Sequence, residues 1–267
     1  MAAKPEQILS RVRASRIAAA WDEYTVAEPP PGLSPTFIDE LWDDYERQLR
    51  PAIAALESGV YTREHWGYVL AHVHAQSVRS PDFLIKATAY LAGLGIENPT
   101  RDQLQFERIK TLANMPKFMA YCRFALLRRP VDGRRFIVND KGYAAPLWDP
   151  RFECPNVIFP LSPHLAVLMV VGAAQHGDDY ETAPMQDLTM TAAAVDLVNE
   201  ASWMLGGITC IMGHPEDESS LAALDKDKPL VPPILGPYRG TCDVGLCDWA
   251  VIDTPARRLT VFQINGS

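Results

Sequence analysis

The chain has 267 residues, 48% of them hydrophobic and 22% charged, with a formal net charge of −8. That supplies ample apolar material for a core and excludes a wholly disordered chain. The acidic balance argues against a protein whose main business is sequence-independent binding to phosphate backbones, so nucleic acid is not the expected partner.

Residues 4–25 can form an amphipathic helix, with Ile8, Leu9, Val12, Ile17 and Trp21 roughly on one side. The same stretch has basic residues but no unbroken apolar run, so no secretory signal is read there. Glu28-Pro29-Pro30-Pro31-Gly32 ends it, since consecutive prolines cannot continue a helix. Ser34-Pro35 then predicts an N-cap with proline at the first helical position. A second helix follows over 35–58, with Gly59 as its C-cap. Thr62-Arg63-Glu64-His65 reads as the N-terminal cap of a third helix, 63–79. Its apolar stripe is Trp66, Leu70 and Val73; a second stripe carries His65, His72, Gln76 and Arg79. A solvated face usually carries Glu and Lys, so His, Gln and Arg suit a helix whose polar side lines a pocket. Ser80-Pro81 starts the next helix, 81–94, which stops at Gly95.

Residues 100–127 read as one or two further helices, broken near Met115-Pro116. Between Arg101 and Lys141 stand ten basic residues against four acids. Such a stretch either balances acidic neighbours or recognises an anionic partner. Pro130-Val131-Asp132-Gly133 is a turn, and the β-rich region is expected from Arg134 onward. Phe136-Ile137-Val138 and Val157-Ile158-Phe159 are β-like runs, stopped by Asn139-Asp140-Lys141-Gly142 and by Pro160-Leu161-Ser162-Pro163. The apolar run from Leu165 reaches Ala174, about half the length a helix needs to cross a bilayer, so no membrane is expected. Beyond it, 178–182 is a polar loop, 189–204 a helix ended by Gly206-Gly207, and 208–212 a strand. The chain is acidic over 213–227 and proline-rich over 229–238, and 259–264 can add an edge strand. Five dispersed cysteines, Cys122, Cys154, Cys210, Cys242 and Cys247, fit a reduced, cytoplasmic protein.

The fold expected from this order is α+β, a helical region (1–129) packed on a mainly antiparallel sheet from the β-rich region (130–267), in a single domain with a proline-rich loop near 213–238. The polar stripe and the Asn139-Asp140 loop, a polar pair just past a strand, are where such a scaffold would carry chemistry. If they face each other, Gln76, Arg79 and Asp140 converge. Arg79 would bind an anion, Asp140 would act as acid/base or orienting carboxylate, and His72 would move protons near neutrality. Asp140 and Arg79 also have plainer readings, as a turn residue and a helix-end residue.

Thr62 to Phe83, with Gln76, Arg79 and Pro81, resembles the Q-x-x-R-T/S-P helix of the DUF4238 proteins, found largely in bacteria and phages. In that family a strand reading F-I-T-S-D-x-P follows, then P-L-S-P, then a helix beginning near an Asn. Phe136 to Asp140, Pro160 to Pro163, and Val198-Asn199 stand at these places, over roughly residues 55–212. The family's N-terminal His-Tyr-x-Pro segment has no counterpart, Asn139 stands for its Ser, and Gly142 for its Pro. DUF4238 is a domain of unknown function, so the resemblance implies a fold and important positions, Asn199 among them, but no activity.

No cofactor is implied. The glycine pairs lack phosphate-loop spacing, there is no G-x-S-x-G elbow, Cys154 has no paired base, and His72-x-His74 has no completing metal ligand. Two functions stay open. One is an enzyme acting on a small polar or anionic substrate, with Asp140, His72 and Arg79 as catalytic residues and Gln76, Asn139 and Asn199 binding the ligand. The other is a non-catalytic interaction protein of a bacterial defence or toxin-type system, contacting its partner through 213–238.

Overall fold

Proline and glycine divide the N-terminal half, and the helices follow that punctuation. The structure, a computed structural model, describes residues 24–79, 82–114, 122–139, 141–149, 154–171, 186–204 and 211–217. The expected helix before Tyr24, Ser80-Pro81, the 178–182 loop, Gly206-Gly207, everything expected from 218 to the proline-rich segment, and the 259–264 strand lie outside these residues. Helix α1 is Phe37–Ser58, closed by Gly59, whose left-handed φ of 75° lets its N–H donate to Leu56 O. Helix α2 is Arg63–Arg79. Its start is a capping box with an imidazole in the usual Glu position: His65 N–H donates to Thr62 Oγ1, and Thr62 N–H donates to His65 Nδ1 at 3.0 Å. Helices α3 (Asp82–Gly93) and α4 (Arg101–Ala113) complete the helical region, α4 beginning at a Thr100/Gln103 capping box.

The expectation that 100–127 is wholly helical is corrected here. After α4 the chain forms strand β1, Cys122–Arg128, so the β-rich region starts before residue 130. The physical reason is burial on both faces. Cys122 and Leu126 join one core cluster, while Ala125 and Leu127 join another across the sheet. A strand covered on both sides loses the polar alternation that marks a strand, and its apolar run reads equally as helix.

The remaining strands are β2 (Val138–Asn139), β3 (Ala144–Asp149), β4 (Cys154–Pro160), β5 (Leu165–Val171), β6 (Gln186–Thr189) and β7 (Ile211–Met212). Helix α5, Ala192–Met204, lies between β6 and β7. The main sheet has the order β3-β4-β5-β1-β6, antiparallel throughout except for the parallel β1–β6 pair. The fold is therefore α+β with a mainly antiparallel sheet. Phe136 and Ile137 fall short of the expected strand because their N–H groups go elsewhere, to Pro163 O and to the Asn199 side chain. Only Val138 and Asn139 pair in a ladder, with β7.

Three layers result. On one face, Ala52 and Leu56 of α1 and Trp66, Val69, Leu70 and Val73 of α2 pack on Val157 and Phe159 of β4 and Val167 and Met169 of β5. On the other, Val195 and Val198 of α5 pack on Ile158, Ala166 and Leu168. The opposite ends of α1 and α2 meet α3 in a separate helical cluster that includes Ile38, Trp42, Val78 and Phe83. Helix α2 thus spans two cores, and the junction between them falls on its polar stripe.

Six of the ten basic residues between 101 and 141 are spent inside the fold. Arg128 pairs with both carboxylate oxygens of Asp187 and donates to Leu56 O at the end of α1. Arg129 holds the 130–133 turn through the carbonyls of Pro130, Val131 and Gly133. Arg108 is buried with its guanidinium over the rings of Tyr24 and Phe83. Arg134, Arg135 and Lys110 pair with Asp196, Asp217 and Glu107.

Candidate functional site

Helical spacing puts His72, Gln76 and Arg79 on neighbouring turns of α2, and the fold brings that face against the turn that follows β2. The contact is direct. Gly142 has φ of +75°, and a Cβ placed there would lie 2.9 Å from Gln76 Oε1 and 3.0 Å from its Cδ. Glycine therefore answers two demands at once, a left-handed backbone and the close approach of α2. Gly142→Ala should destabilise the protein by about 2 kcal/mol or more. Some of that loss should vanish in a Gln76→Ala background, where only the backbone strain remains, and a double-mutant cycle in urea measures the difference.

The turn is held from below. Asn139 is 2% exposed and its side chain is fully engaged with backbone. Its Nδ2 donates to Tyr143 O at 2.9 Å and Ser202 O at 3.0 Å, and its Oδ1 accepts from Lys141 N–H at 3.1 Å. Gly142 N–H then donates to Asn139 O. This is an Asx-type turn, pinned to α5. Asn199 does likewise for the segment just ahead of β2 and not for the turn: its Oδ1 accepts from Ile137 N–H and its Nδ2 donates to Arg135 O. Both asparagines, expected as ligand-binding groups, direct their amides to the scaffold. Lys141, 1% exposed, is buried in the same turn. Asp140 itself lies outside the described residues.

On α2, Gln76 Nε2 lies 2.9 Å from His72 Nε2. Burial, and secondarily the charge of Arg79, lower the His72 pKa to about 4. The expectation of a proton carrier near neutrality is thus corrected: His72 is neutral at pH 7. His74 points the other way, with Nε2 3.4 Å from Thr111 O of α4, and burial lowers its pKa to about 4 against the opposing pull of that carbonyl. Among the described residues no group of three or more His, Cys, Asp or Glu could hold a metal ion.

Arg79 turns toward α1. It pairs with Glu46, and its guanidinium lies 5.3 Å from the centroid of the Trp42 ring. Burial would lower its pKa, but the Glu46 hydrogen bond and charge, with Tyr24, raise it. Its charge is partly answered from within the protein. Nothing in the sequence singles out Glu46 and Trp42, and only the α1–α2 packing reveals them. The structure therefore brings His72, Gln76 and the 139–142 turn together, with Arg79 one turn further along α2. His65 is used in the helix cap, and Asn199 holds the 135–137 segment ahead of β2.

No protein-family model matches the chain, and neither a curated protein nor a solved structure matches it.

Proposed function

We propose that the protein is an enzyme acting on a small polar or anionic substrate held between α2 and the 139–142 turn. The observation that carries this reading is the contact of Gln76 with Gly142, which joins the polar stripe of α2 to the loop containing Asp140. A close-packed polar junction between two separate cores is a favourable place for a preorganised site, because both walls stand on rigid elements. Gln76 and His72 would orient the substrate by hydrogen bonds, Arg79 would supply positive charge, and Asp140 would be the acid/base group. Kinship with the DUF4238 proteins belongs to the proposal. In its support, the positions that carry the resemblance occupy structural turning points: Gln76 against the turn, Asn199 holding the segment ahead of β2, and Ser162 accepting from His164 and Leu165 N–H.

The test is a substrate screen of the full chain with phosphate esters, carboxylate esters and amides. Turnover of one class is expected, and Asp140→Asn should lower kcat by roughly 10²–10⁴-fold with thermal stability retained, as removal of a general acid or base does. Unchanged turnover in folded Asp140→Asn and Gln76→Leu variants would overturn the reading.

A further inference from the structure

The contact between Gln76 and His72 decides more than an orientation. An amide nitrogen only donates hydrogen bonds, so the 2.9 Å approach of Gln76 Nε2 to His72 Nε2 requires the ring nitrogen to be the acceptor. An acceptor Nε2 carries no proton, and a neutral imidazole must then hold its proton on Nδ1. The other amide atom, Oε1, lies on the Gly142 side. The same chain contains the opposite arrangement as a contrast. His65 Nδ1 accepts the backbone N–H of Thr62, which leaves the proton of its neutral ring on Nε2.

We propose that Gln76 fixes His72 as the neutral Nδ1–H form, and that His72 serves as a hydrogen-bond donor to an anionic oxygen of the ligand. This rests on the ligand site proposed above and gives it a chemical class, a carboxylate or phosphate oxygen. The His72 side chain is partly and not wholly buried. Enclosure by protein keeps the ring neutral, which suits a fixed donor and not a base. A neutral donor adds no full charge to a site where Arg79 is already paired with Glu46. Gln76 is here a positioning residue, acting on the ligand through His72.

Long-range ¹H–¹⁵N correlation on the full chain, with ¹⁵N-labelled histidine and assignment by His72→Gln, reads the protonated nitrogen directly. At pH 7 His72 should show Nδ1–H. Gln76→Glu, which presents an acceptor to Nε2, should move the His72 proton to Nε2, and Gln76→Ala should give a mixture. An Nε2–H or doubly protonated His72 in the unmodified protein overturns the assignment, as does a pattern unmoved by either Gln76 substitution. Inorganic phosphate and acetate, added separately, distinguish the two oxygen classes: one of them should shift the His72 Nδ1–H resonance. An Nδ1–H that responds to neither overturns the ligand role and the anionic-substrate reading beneath it, while leaving the protonation pattern intact.

Discussion

Acidifying the protein from pH 7 to about pH 4 should destabilise it by several kcal/mol, about 3 for each of two histidines. His72 and His74 both have pKa values lowered from 6.5 to about 4, chiefly by burial. The unfolded chain takes up these two protons as pH falls through about 6.5, whereas the folded protein takes them up only near 4. Stability is therefore fully present above about pH 6.5 and is lost progressively down to pH 4. Each shift corresponds to roughly 3 kcal/mol across that window. Two such losses together reach the lower end of an ordinary domain's stability, roughly 5–15 kcal/mol. Urea midpoints at pH 7.5, 6, 5 and 4.5 measure the slope. His74→Gln and His72→Gln should each remove about one proton from it, and a midpoint flat down to pH 4.5 would refute the account.

Asn139→Ala should be the most damaging single substitution near the site, costing about 3–5 kcal/mol. The truncation leaves three buried backbone groups without partners: the carbonyls of Tyr143 and Ser202 and the N–H of Lys141. Each such orphan costs about 1–3 kcal/mol where water does not reach it. Asn139→Asp separates hydrogen bonding from size. It keeps the acceptor for Lys141 N–H but sets a carboxylate oxygen against two carbonyls, so it should be at least as harmful as alanine. Thermal denaturation of the two variants beside the unaltered protein is the measurement. A loss below about 1 kcal/mol for both would mean that water replaces the amide and that the turn is not pinned to α5.

How much of this was legible in the sequence depended on where each residue found its partners. Helices α1, α2 and α3 were readable because Gly59, Thr62 and Gly95 set their ends locally, although α1 begins at Phe37 after Thr36 and not at the expected Ser34-Pro35 cap. Strands β4 and β5 were readable from β-branched runs between turn residues. Strand β1 was not, because neighbours on both faces leave its centre, Phe124 to Leu127, an unbroken apolar run without polar alternation. Strand β6 escaped too, since Gln186 to Thr189 is short and takes its place only through pairing with β1. At the site, spacing placed His72, Gln76 and Arg79 on one face, and the structure brings that face to the loop after β2. Sequence did not reveal that Glu46 would answer Arg79, nor that Asn139 and Asn199 would turn inward, because Glu46, Ser202, Ile137 and Arg135 lie 33 to 64 residues from the side chains they hold. The near-neutral histidine failed for the same reason: burial is a tertiary property.

The sheet order has a consequence for the sequence of events during synthesis. Strand β1 occupies an interior place, yet both of its neighbours, β5 and β6, are made later in the chain. While the ribosome passes residue 130, the apolar faces of α1 and α2 wait for the strands that will cover them, an interval that favours chaperone contact. The turn after β2 waits longer still, because Ser202, whose carbonyl accepts from Asn139, belongs to α5, as does Asn199, which holds the segment just ahead of β2. The wall opposite α2 is thus among the last segments to be fastened. In the finished protein the same linkage runs in reverse. A fluctuation that lifts α5 releases the turn, so the site's order rises and falls with the docking of one helix on the far side of the sheet.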